Sequence, residues 1–332
     1  MLIKKIIEPT EKCPNRLEKA TSDYYANRAR PKLGYIGPTI KGMDVGAARY
    51  FDIHQDYEPL ELCTTPVEEK DYDFGGYRIR WFHPVTVKGP APVIFFIHGG
   101  GYICGTMDRY NKMNRRLAEL INGIVIHVDY TLCPETGYPT ALEQSYHAVE
   151  YVYNNPEEFL VDREKIAIMG DSAGGHCCAT LCLRDKETKY IKMAFLYYPV
   201  LDFTDYSANK FNMADFGEDL EPVVKARVLS LKDSNLSGIF LQNGEDPTDE
   251  LISPLLSKDL TGYPRTFIFT AEFDFLRIQC EEFAEKLDKA GVDVNYYQYN
   301  GTFHGYMDRL GLFESCDMSL KQVAEHLHEY LG

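Results

Sequence analysis

The chain has 332 residues, 45% of them hydrophobic and 26% charged, a globular composition with enough apolar material for one large domain or two modest ones. Lys and Arg number 35 against 50 Asp and Glu, a net charge of −15, and no basic cluster longer than a pair offers the footprint a phosphate backbone needs; nucleic acid and anionic membrane surfaces are not expected partners. No run approaches the roughly 18 apolar residues of a membrane span, and Met1–Glu8 turns acidic too soon for a signal peptide, so neither membrane insertion nor classical secretion is expected.

Residues 1–60 are polar and mixed, with a helix expected from Arg16 to Ala29 and ended by Pro31. They contain no strong core strand and read as an accessory layer. From Pro59 to Trp81 strands are expected, because Tyr77, Ile79 and Trp81 alternate with Arg78 and Arg80. Beyond Pro92 short apolar runs follow one another: Val93–Ile97, Ile124–Val128, Ile166–Met169, Met193–Leu196, Thr266–Phe269 and Val292–Tyr299. Apolar on both faces and rich in β-branched or aromatic residues, they have the pattern of buried parallel strands.

Helical windows lie between them. Leu276, Cys280, Phe283, Ala284 and Leu287 share one face of a helix that Gly291 can end, and Leu320, Val323, Ala324, Leu327 and Leu331 do the same near the C-terminus. Strands alternating with helices predict an α/β fold around a mostly parallel sheet. The acidic stretch from about Asp202 to Ser257, weakly helical around Val223–Leu231, breaks that rhythm and reads as a functional loop or cap.

Nine cysteines include no CxxC pair, and Cys178 and Cys182 share a helical face as small core residues. Reduced structural thiols in a cytoplasmic protein are expected, without a zinc site.

The chemistry concentrates after two of the strands. Gly170-Asp171-Ser172-Ala173-Gly174-Gly175 stands between an apolar strand and an apolar helix. A serine on such a turn exposes its hydroxyl above the sheet, and the flanking glycines remove side chains that would crowd it. The helix that begins there points its N–H groups at the same place. His98-Gly99-Gly100-Gly101-Tyr102 also follows a strand, and its glycines allow backbone amides to approach a substrate as an oxyanion hole requires. The spacing suits neither a P-loop nor a dinucleotide fingerprint. His98 is read as holding this loop by a hydrogen bond rather than as moving a proton.

A serine needs a base and an acid to orient the base. His304, in Gly301-Thr302-Phe303-His304-Gly305, is expected in a loop just beyond the last strand, where the sites of parallel sheets gather. His127 falls inside a strand, His147 and His176 in helical windows, and His326 and His328 on the terminal helix. Glu272 and Asp274 both follow the 266–269 strand; Asp274 is preferred as the acid because it lies further out, nearer a base arriving from the next strand. Nucleophile, acid, base is then the chain order of the α/β-hydrolases.

The sequence resembles the hormone-sensitive-lipase-like family of α/β-hydrolase carboxylesterases from about residue 90 to the C-terminus. HGGGY at 98–102 and GDSAGG at 170–175 match its two signatures. Val128–Glu135 is similar to its VDYRLAPE segment, Ser253-Pro254-Leu255 to its SPL segment, residues 271–274 to its acid loop and His304-Gly305 to its HG pair. Two departures stand out: Asp274 is followed by Phe-Leu-Arg-Ile-Gln instead of further acids, and Thr131 and Cys133 replace an Arg and an Ala.

The resemblance implies an α/β-hydrolase fold with Ser172 as nucleophile, His304 as base and Asp274 as acid. The amides of Gly100, Gly101 and Ala173 would form the oxyanion hole, supported by His98, Gly99, Tyr102 and Asp171. It implies a cap in residues 1–60 over a catalytic domain spanning 61–332, with 203–255 as a further cap insertion. No metal or organic cofactor is implied, and the partner is a small-molecule ester; some relatives form homodimers through a sheet edge. Hydrolysis of short-acyl esters is the expected activity. A sugar deacetylase, amidase or lactonase would use the same groups, whereas a non-catalytic receptor on this scaffold would lack the base that Gly301–Gly305 retains.

Overall fold

The apolar runs become the inner strands of one sheet, because a strand covered by helices on both faces has no solvent-facing side on which to place polar residues. A computed structural model describes residues 2–13, 17–27, 39–40, 43–46, 48–49, 57–204, 210, 212–217, 222, 224–225, 228–229 and 239–332. The strands are Ile3–Ile7 (β1), Thr39–Ile40 (β2), Met43–Asp44 (β3), Val67–Asp73 (β4), Arg78–Pro84 (β5), Ala91–Ile97 (β6), Ile124–Asp129 (β7), Val161–Asp171 (β8), Met193–Tyr197 (β9), Arg265–Phe273 (β10) and Val294–Phe303 (β11). The two-residue strands β2 and β3 pair only with each other, and the other nine form one sheet in the order β1-β11-β10-β9-β8-β6-β7-β5-β4. Every neighbouring pair in it is parallel except those made by β5, which runs against both β4 and β7.

Helices Lys19–Asn27 (α1), Asn111–Ile121 (α2), Thr140–Asn154 (α3), Ala173–Arg184 (α4), Arg277–Lys289 (α5) and Glu314–Leu331 (α6) are the principal ones. Alternation along β6 sends Val93, Phe95 and Ile97 to one face and Ile94 and Phe96 to the other. The first set joins a core with Leu142, Cys178 and Phe283 of α3, α4 and α5. The second joins Leu117 of α2 and Leu320 of α6. The result is the helix–sheet–helix sandwich expected of alternating strands and helices.

Three local expectations are corrected. Residues 1–60 contribute a strand: β1 extends the sheet edge beside β11, although its residues 3–6 are exposed and add little core. The expected 16–29 helix covers Lys19–Asn27, while Arg16, Ala29 and Pro31 lie outside the described residues. Strand β11 continues to Phe303, so Gly301–Phe303 are strand rather than loop, and His304 follows at once. Within 203–255, Val223 and Leu231 lie outside the described residues, and 224–225 and 228–229 are helical.

Candidate active site

Ser172 stands between the last residue of β8 and the first of α4, with φ 55° and ψ −116°. A left-handed φ at a non-glycine residue carries strain, and here it lifts the side chain out of the turn. Ser172 N–H donates to Tyr197 O at 2.8 Å, anchoring the turn to β9. The glycines around it serve close approach. A Cβ on Gly170 would lie 2.5 Å from Gly174 O, and one on Gly174 would strike the carbonyls of Ile97 and His98. The helix can therefore begin directly above the end of β6.

Asp274 and His304 are brought together by the register of β10 and β11. A shift between Ala271 and Phe273 opposes Phe273 to Phe303, so the next residue of each strand lies at the same height. Asp274 Oδ2 is 2.8 Å from His304 Nδ1, and His304 Nε2 is 2.9 Å from Ser172 Oγ. A carboxylate only accepts, so Nδ1 carries the proton and Nε2 is left to accept from the serine hydroxyl. Asp274 is 1% exposed, and its other oxygen accepts from Leu276 N–H at 2.9 Å where α5 begins.

Glu272, the rival acid, turns elsewhere. It is the penultimate residue of β10, and its Oε2 accepts from Gly301 N–H at 2.8 Å, holding the strand that leads to His304.

The loop of residues 98–102 is fitted against the serine turn. Asp171 Oδ1 accepts from Gly99 N–H at 2.8 Å, and a Cβ on Gly99 would lie 2.6 Å from Asp171 Oδ2. Gly100 and Gly101 have φ 115° and 62°, and Tyr102 continues at 62°. The bonds that shape the loop engage the amides of Gly99, Ile103 and Cys104, not those of Gly100 and Gly101. Ala173 N–H belongs to the first turn of α4, where helical amides have no partner within the helix.

The supporting residues act through hydrogen bonds. His98 Nδ1 donates to Gly99 O at 2.7 Å, while its ring stacks on Tyr130 with centroids 4.4 Å apart. Burial pushes the His98 pKa below that of a free imidazole. His176 Nε2 donates to Ile252 O at 2.8 Å, so its Nδ1 accepts from Tyr102 OH at 2.5 Å; burial brings its pKa down to about 4. Asp171 has its pKa raised, first by burial. One residue escaped the sequence reading: the Tyr198 ring lies 4.6 Å from that of His304, and its hydroxyl accepts from Met307 N–H at 3.1 Å. It follows β9 in an otherwise ordinary apolar run, so no motif marks it.

Among the described residues no group of three or more His, Cys, Asp or Glu could hold a metal ion, and no helix is long and apolar enough to cross a membrane.

Known proteins with this organisation are numerous. Residues 94–308 match the alpha/beta hydrolase fold family. An arylesterase of Saccharolobus solfataricus is 30% identical over 73% of this chain and 75% of its own length. A carboxylesterase of Mycobacterium tuberculosis is 31% identical over 80% and 83%. The crystal structure of a thermostable esterase from Pseudomonas putida superposes with a TM-score of 0.79 at 27% identity, covering 97% of this chain and 99% of that one. With its serine turn, its nine-stranded sheet and these relatives, the chain belongs to the alpha/beta hydrolase family, in its hormone-sensitive-lipase-like group.

Proposed function

We propose that this protein is a serine carboxylesterase that hydrolyses short-acyl esters of small molecules through an acyl-enzyme, with Ser172, His304 and Asp274 as its catalytic residues. The observation that carries the reading is the unbroken relay from Asp274 Oδ2 through both His304 nitrogens to Ser172 Oγ. The esterases among its relatives support the reaction class.

In the first step Ser172 Oγ attacks the ester carbonyl carbon as His304 Nε2 takes its proton. Negative charge on the former carbonyl oxygen is met by the amides of Gly100, Gly101 and Ala173, aimed in advance and therefore needing no reorganisation. His304 then gives its proton to the departing alcohol oxygen. Water repeats the sequence to free the acid and regenerate the serine. Throughout, Asp274 fixes the tautomer and stabilises the imidazolium.

Within residues 1–60, apart from the edge strand β1, and in 203–255 the chain acts as a cap over a body of 61–332. An apolar cluster supports this: Leu17 from the first segment and Phe216, Val224 and Val228 from the second pack with Phe273, Phe275, Leu276 and Phe303. These last four flank the acid and the base, so the cap bears directly on the site. Nine unpaired cysteines support residence in the reducing cytoplasm.

Hydrolysis of p-nitrophenyl esters from acetate to laurate, with the Ser172→Ala variant alongside, tests the reading. Turnover should peak between acyl chains of about two and six carbons and fall about 10⁶-fold in the variant. Unchanged turnover by folded Ser172→Ala protein overturns the catalytic assignment. A native enzyme inactive on every ester redirects the search to an amide, lactone or sugar-acetate substrate.

A further inference from the structure

Beyond the three catalytic side chains, an ion cluster joins the turn that follows His304 to the turn that follows the 98–102 loop. Asp308, 5% exposed, accepts from Arg109 Nη2 with one carboxylate oxygen and from Arg309 Nη1 with the other. Its two partners come from different parts of the chain. Arg309 is its neighbour, but Arg109 lies 199 residues earlier, in the turn between the 98–102 loop and α2.

Each end of the long-range bond leads to a reacting group. On one side, Tyr110 beside Arg109 places its hydroxyl 3.3 Å from Asp171 Oδ2, and Asp171 both precedes Ser172 and holds Gly99 N–H. On the other, Asp308 ends the turn Tyr306–Asp308 that begins two residues after His304. Met307 N–H in that turn donates to Tyr198 OH, and the Tyr198 ring backs His304. Ser172 and His304 thus stand on two arms, and the Arg109–Asp308 bond closes the arms at their base.

Resting on the esterase reading above, we propose that Arg109 and Asp308 are positioning residues for the reaction: their ion pair sets the His304 loop against the serine turn and the 98–102 loop. Neither touches the reacting atoms. Their effect arises because proton transfer and attack demand alignment, and a displacement of about 1 Å costs about a hundredfold in rate. A single charge-assisted bond from Arg109 Nη2 to Asp308 holds the two turns at a fixed separation, which a Lys ammonium at the same position can also do. Arg309 keeps Asp308 charge-balanced when Arg109 is removed, so Arg109→Met is the milder way to open the clamp. Asp308→Asn would instead remove the carboxylate that both guanidinium groups face, Arg309 buried and Arg109 part-buried.

The test compares native enzyme, Arg109→Met, Arg109→Lys, Asp308→Asn and Ser172→Ala on p-nitrophenyl butyrate, well below each Tm. Near-UV circular dichroism checks folding, and stoichiometric labelling with a fluorophosphonate counts usable Ser172 hydroxyls. Folded, fully labelled Arg109→Met should lose tenfold or more in kcat with KM within twofold of native, and Arg109→Lys should recover most of that loss. A folded Arg109→Met with kcat within twofold of native overturns the proposal. So does failure of both Arg109→Met and Asp308→Asn to reach a native near-UV spectrum, which assigns the cluster to folding alone. Retained turnover in Ser172→Ala, by contrast, defeats the esterase reading itself.

Discussion

At Asp274 a single carboxylate has two duties, and its two oxygens divide them. One accepts from His304 Nδ1 and the other from Leu276 N–H at the start of α5, so the acid is held by the helix that follows it while it holds the base. Replacing it with an amide keeps the volume but lets the side chain donate to Nδ1, which places the imidazole proton on the wrong nitrogen. We expect Asp274→Asn to fold normally and to lose about 10⁴-fold in kcat, measured on p-nitrophenyl acetate. Ser172, His304 and Asp274, the proposed nucleophile, base and acid, were legible in the sequence because each follows an apolar run closely. Asp171 and Tyr102 were legible only as motif members. That Asp171 would bind Gly99 N–H, and Tyr102 His176, depends on distances between strands that no local pattern encodes.

Among the elements, the segment before α1 shows how the chain's beginning bears on the site. Glu18 N–H donates to Gly301 O at 2.9 Å, three residues before His304, and its Oε1 accepts from Glu314 N–H at 2.8 Å, the first residue of α6. Burial raises its pKa from 4.5 to about 7. Because the folded state holds this proton more tightly than the unfolded state, the associated stability is complete below about pH 4.5 and is lost as pH rises through about 7. Glu18→Gln mimics the protonated form while keeping the acceptor oxygen. Its Tm should exceed that of the native protein by on the order of 5 °C at pH 8 and match it at pH 4.5, read by calorimetry. Equal Tm values at pH 8 would refute the assignment. The sequence marked Glu18 only as one acid among many, since its burial is created by α6 and β11 closing over it.

For the whole molecule, acid sensitivity follows from the interior. His98, His127 and His176 are fully buried, and burial lowers the pKa of each; for His176 the value is about 4. Depressed imidazoles are neutral in the fold and take up protons near pH 6.5 once unfolded, so their contribution is complete above that pH and is lost as pH falls below it, for His176 down to about 4. Glu18 and Asp171, with raised values, act in the opposite sense. The half-buried His326 is lowered as well, so four imidazoles against two carboxyls leave the balance with the histidines, and surface carboxylates with lowered values, such as Asp71, Glu58 and Glu135, add to it at the acid end. Tm should therefore fall between pH 7 and pH 5, and a flat or rising profile in calorimetry would contradict this account.

The order of strands and helices, the two cores and the serine–acid–base sequence follow from local chemistry: apolar runs bounded by glycine-rich turns leave few ways to bury themselves, and a reactive serine needs a sharp turn after a strand. The sequence preferred Asp274 to Glu272 by its place further out on the loop; the tertiary structure supplies the reason, because the shift at Ala271–Phe273 turns Asp274 toward His304 and leaves Glu272 on Gly301. Tertiary structure alone decided that Ile3–Ile7 joins the sheet edge and that Arg109 meets Asp308. Those pairings join residues far apart in the chain, and their energies exist only once strands and loops have closed over them.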